Sequence, residues 1–89
     1  MTDADLTSGV AEMMDLGWLA EEAGDLVLAE SWYQKAADLG NSDAMWSLGS
    51  LAQKAGDLVL AESWYQKAAD LGNANAMWSL DALAKLDAS

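Results

Sequence analysis

Carboxylates are the most abundant reactive groups in this chain, with fifteen Asp and Glu against four basic residues, all of them lysine. They bunch at Glu21, Glu22 and Asp25, and again at Asp3 and Asp5. Such bunches could serve calcium binding or general acid–base work. Neither has the ligand spacing of a calcium loop, and neither sits beside a nucleophile and a base. Serines recur at matched places, Ser31 with Ser63 and Ser47 with Ser79, but there is no histidine to activate a hydroxyl. Cysteine is also absent, which excludes disulfides and thiolate metal sites. These residue types point to no catalytic, metal or cofactor site, and the chain is expected not to be an enzyme.

What remains is the chemistry of binding. Trp46 and Trp78 occupy equivalent places, Met14 stands at the third equivalent, and Trp18 lies one helical turn beyond it. Aromatic side chains are favoured interface anchors. The pairs Val27-Leu28 and Val59-Leu60 form a second apolar set, copied at the same offset. The net charge of −11 would repel a phosphate backbone and an anionic lipid surface. The expected partner is therefore a protein or peptide, or the chain itself as a homo-oligomer, with no nucleic acid and no membrane. No stretch of apolar residues is long enough for a membrane span. The acidic start Met1-Thr2-Asp3-Ala4-Asp5 is unlike a signal peptide. These features are expected of a cytoplasmic or recombinant soluble protein.

The elements that must position these residues come from a repeat. Ala23 to Asn41 recur unchanged as Ala55 to Asn73, and Ala44 to Leu48 recur as Ala76 to Leu80, both at an offset of 32. A fainter copy upstream matches Met13, Leu16, Gly17, Leu19 and Ala20 to Met45, Leu48, Gly49, Leu51 and Ala52. Alanine and leucine abound and proline is absent, as helices require. The pattern predicts five helices, at about 8–23, 26–39, 42–55, 58–71 and 74–87. Gly24 and Gly56 suit left-handed helix ends, with Asp25 and Asp57 as the following N-caps. Gly40 and Gly72, with Asn41 and Asn73, do the same at the other turns. Met45, Leu48, Gly49 and Ala52 form one apolar face. Leu58, Ala61, Tyr65, Ala68 and Ala69 form another. Gly49 costs about 1 kcal/mol against alanine inside a helix. Close approach of the next helix at Ala61 would offset it, with Gly17 and Ala29 as the matching pair.

These motifs resemble the tetratricopeptide pattern: Met45-x2-Leu48-Gly49-x2-Ala52, then Ala61-x3-Tyr65 and Ala68. The string Trp64 to Asn73 is more similar to the Sel-one-like branch, whose second helix ends WYxKAAxxGN. The turn Ala55-Gly56-Asp57 is short, as in tetratricopeptide repeats. The missing proline, the 32-residue period and alanine where an aromatic is usual depart from that pattern. The resemblance implies an all-α array of tandem antiparallel helix–turn–helix repeats, about two and a half units and five helices in a right-handed solenoid. It forms a single domain over 1–89: a tail and capping helix at 1–23, a repeat at 24–55, and a repeat with a solvating final helix at 56–89. The resemblance also implies a concave groove lined by the first helix of each unit, which here carries Met14, Trp18, Glu21, Trp46, Ser50 and Gln53. The basic residues with which family members grip a peptide carboxylate are missing.

Asp81 stands where the earlier units have Gly17 and Gly49, and it reads as a solvating end cap, with Lys85 and Asp87 beside it. The tryptophans either fill gaps between helix pairs or form a binding stripe, and Trp32 and Trp64 read as core or edge packing. Val27, Leu28, Val59 and Leu60 stand where the family usually has polar residues, so they are either a self-complementary surface or are buried by a rotated helix. The unchanged copy suggests an engineered or designed chain built from a natural repeat. The leading expectation is a non-catalytic scaffold suited to self-association. The alternative is a peptide- or protein-binding adaptor using the concave groove.

Overall fold

The structure is a computed structural model that describes the backbone of residues 3–88 and the side chains of residues 9–86. The carboxylates of Asp3, Asp5 and Asp87 lie outside that range. Within it the chain forms α1 (Asp3–Glu22), α2 (Leu26–Asp38), α3 (Ser42–Lys54), α4 (Leu58–Asp70) and α5 (Ala74–Ala88).

One turn chemistry is used four times. After α1 the chain enters the left-handed region at Gly24, with φ of 82°. The Gly24 amide donates to the Glu21 carbonyl and the Asp25 amide to the Ala20 carbonyl, which is a Schellman closure. Asp25 at once becomes the N-cap of α2, its carboxylate accepting from the Leu28 amide at 3.1 Å. The same sequence of bonds recurs at Gly40, Gly56 and Gly72, with Asn41, Asp57 and Asn73 as the caps. A single residue thus closes one helix and opens the next, so consecutive helices must turn back on each other.

α1 starts at Asp3 instead of near Ser8. One period below the Gly40-Asn41 turn the chain has Ser8-Gly9. Ser8 strongly disfavours the left-handed bend and Gly9 has no side chain to cap with, so nothing stops the helix running on.

Each helix packs chiefly on its neighbours in sequence, α1 on α2, α2 on α3, α3 on α4 and α4 on α5. The molecule is elongated, 50 × 29 × 15 Å. Its radius of gyration of 13.4 Å exceeds the roughly 12 Å of a compact domain of this length. The core lies along the seam. Ala29, Tyr33, Ala36 and Ala37 of α2 meet Ala44, Leu48 and Leu51 of α3. Ala61, Tyr65 and Ala68 of α4 meet Ala76 and Leu83 of α5. Of the face expected on α4, Leu58 is instead exposed.

Both helical glycines sit against a ring. A Cβ on Gly49 would lie 2.6 Å from the Tyr65 ring and 3.2 Å from the Ala61 carbonyl, and one on Gly17 would lie 2.5 Å from the Tyr33 ring. The close partner is therefore the tyrosine of each unit, with the alanine backbone behind it in the second. Among the described residues no helix is long and apolar enough to cross a membrane.

Candidate interaction surface

The second helix of each unit buries a stripe of small residues and one ring. In α2 these are Ala29, Tyr33, Ala36 and Ala37, at offsets of four, seven and eight. That stripe leaves the first turn turned outward. Val27 is 82% exposed and Val59 84%. Leu26, Leu28, Leu58 and Leu60 are each about half exposed. Rotated packing does not bury these residues, and an apolar ridge stands at the start of both helices. Between the two ridges lies a cleft of about 210 Å³, walled by Val27 and Leu60 and floored by Leu48 and Leu51 of α3. Trp64 also lines it while packing on the core of the first unit. Lys67 lies 4.6 Å over the Trp64 ring, and Lys35 lies 4.5 Å over Trp32, so each indole is held between the protein and a cation.

The tryptophans of the opposite face divide into two kinds. Trp46 is half-buried, and its indole N–H donates to the Ser79 hydroxyl at 3.0 Å. The Ser79 hydroxyl donates onward to the Asn75 carbonyl. Trp46 thereby joins α3 to α5. Met14 is also half-buried and packs on the first core cluster. Trp18, at 56% exposure, and Trp78, at 80%, are open to a partner.

Of the acids bunched at Glu21, Glu22 and Asp25, Glu21 and Asp25 are engaged in structure. The Tyr33 hydroxyl donates to Glu21 Oε1 at 3.0 Å, and Lys54 meets Glu21 Oε2 at 2.7 Å. This Tyr–Glu–Lys chain links α1, α2 and α3. Burial, then the hydrogen bond and charge of Glu21, push the Tyr33 phenol well above the ordinary tyrosine range. Tyr65 is likewise raised by burial, and its hydroxyl donates to Gln53 at 2.7 Å. Asp25 is spent as a cap. Asp81 is exposed and pairs with Lys85 at 3.1 Å. Sequence reading missed the tyrosine network, although Glu21–Tyr33 and Gln53–Tyr65 share one offset of twelve.

Asn73 does more than cap α5. It is also buried, and its amide donates to Asp43 at 2.8 Å and to Ser42 at 3.3 Å, tying the starts of α3 and α5 together. Among the described residues no group of three or more His, Cys, Asp or Glu could hold a metal ion. The arrangement offers apolar surface for contact.

A Sel1 repeat family model matches the chain twice, over residues 10–41 and 42–73. The first match starts within α1 and the second at the start of α3, and each ends at the asparagine that caps the following helix. A comparison with curated proteins finds no match.

Proposed function

Because the chain belongs to the Sel1-repeat family, its two matched repeats spanning most of its length, we propose that it is a non-catalytic scaffold that associates with itself through the α2–α4 ridge. The observation that carries this reading is the exposure of Val27 at 82% and Val59 at 84%, at identical places in two units. Val27 and Leu60 line a largely apolar cleft that a ridge on a second copy could enter. Repeated exposed patches of this kind exceed the scattered apolar residues of an ordinary surface.

The test is light scattering after size exclusion across micromolar concentrations. A concentration-dependent dimer or larger species is expected. Val59→Lys with Leu60→Lys should return it to monomer with unchanged helicity, because both side chains stand outside the core. A clean monomer for the parent chain would overturn the proposal.

A second reading, a peptide adaptor, draws on the exposed Trp18 and Trp78. Neutral or basic peptides should then shift tryptophan emission, and Trp78→Ala should remove the shift. Met14 and Trp46 serve that reading only as its supports. The same proposal takes the helix pairs as a right-handed solenoid. It also takes the chain as engineered by copying one unit, which suits the nineteen unchanged residues and the carboxylate at Asp81 in place of glycine.

A further inference from the structure

The two interior leucine positions of each first helix behave differently at the start of the array. Leu48 is 4% exposed and Leu51 7%, because α2 lies across them. The equivalent Leu16 is 41% exposed and Leu19 55%. No helix among the described residues covers them, and α1 continues straight back to Asp3 without folding over its own face. The exposed face of α1 is therefore the equivalent of the one that α2 covers on α3, and the chain itself shows what kind of object fits: a helix with a seam of small residues, laid antiparallel to it.

One position on that face has changed. Ala44 and Ala76 are 0% exposed, each in a cluster with the alanines of the preceding helix. Their equivalent in α1 is Glu12, which is exposed. A helix identical to α2 laid on α1 would bury that carboxylate against alanine, leaving an unpaired charge out of water, which is strongly unfavourable. A helix with a lysine or arginine at that seam would pair with it. We propose that the open face of α1 is a docking site for an amphipathic helix from another protein, with a small-residue seam and one basic residue opposite Glu12. Glu12 thereby excludes further copies of the chain's own repeat. The surface is distinct from the α2–α4 ridge.

Labelled peptides test this against the full chain by fluorescence anisotropy. The parent peptide has the sequence of residues 25–41, and two others carry lysine in place of one of the two seam alanines, Ala36→Lys or Ala37→Lys. At least one lysine peptide should bind about ten-fold more tightly than the parent peptide. On the Glu12→Ala protein the preference should reverse. Leu19→Glu should abolish binding of every peptide, with helicity by circular dichroism unchanged, since Leu19 is more than half exposed. Val59→Lys should leave binding unchanged, which separates this site from the ridge. Equal binding of all three peptides, no binding, or binding that survives Leu19→Glu would overturn the proposal.

Discussion

At the scale of single residues, glycine and tyrosine fit closely against each other. Gly49 leaves no room for a Cβ against the Tyr65 ring, and that ring is 2% exposed and cannot swing away. Gly49→Ala should therefore destabilise the fold by about 1–2 kcal/mol, the overpacking cost exceeding the gain in helix propensity. Gly9, with open space around it, is the control, and Gly9→Ala should be neutral or mildly stabilising. Urea unfolding of the two variants checks the pair. The tyrosines also set an alkaline limit. Folding raises the Tyr33 and Tyr65 phenols above their ordinary value of 10.0, so folding favours the neutral form. Their contribution is complete below that value and declines as pH rises toward the folded-state values. Thermal melts should hold steady up to about pH 10 and fall above it. Tyr33→Phe, once its lower starting stability is allowed for, should show a shallower decline.

At the scale of helices, the turns carry both the order and the direction of the chain. Asp57 caps α4 through one bond at an exposed site, so Asp57→Ala should cost about 1 kcal/mol. Asn73 caps α5 and also donates to Ser42 and Asp43 from a buried position. Asn73→Ala should cost about 2–3 kcal/mol, because it removes the cap and leaves a buried partner amide unsatisfied. Denaturant midpoints for the two variants decide the order. The helices and their turns were readable in sequence from glycine and cap spacing, to within a residue at most ends. The start of α1 was not, because the absence of a stop signal at Ser8-Gly9 does not say how far a helix runs on.

At the scale of the whole molecule, stability is unevenly spread. α3 packs between α2 and α4, whereas α5 has α4 as its main neighbour and Asp81 in place of the tight-packing glycine. Native-state hydrogen exchange should show α5 opening before α3, as end units of stacked repeats do. Equal protection of the two helices would mean that the five unfold as one block. The elongated shape also leaves proportionally more apolar surface open than a compact domain would, and that surface is where the proposed contacts lie.

By itself, the sequence determined the repeat, the five helices, the turn chemistry and the family, because each rests on local spacing that recurs at one offset. It also ruled out histidine and thiolate chemistry by composition. Only the tertiary structure decided which apolar residues are free. Trp46 and Trp78 are the same residue at equivalent places, yet one is held by Ser79 and the other stands open. Leu16 and Leu48 likewise match in sequence and differ in burial. The physical reason is that exposure in a stacked array is set by the neighbouring unit, and among the described residues none packs beyond α1 or α5.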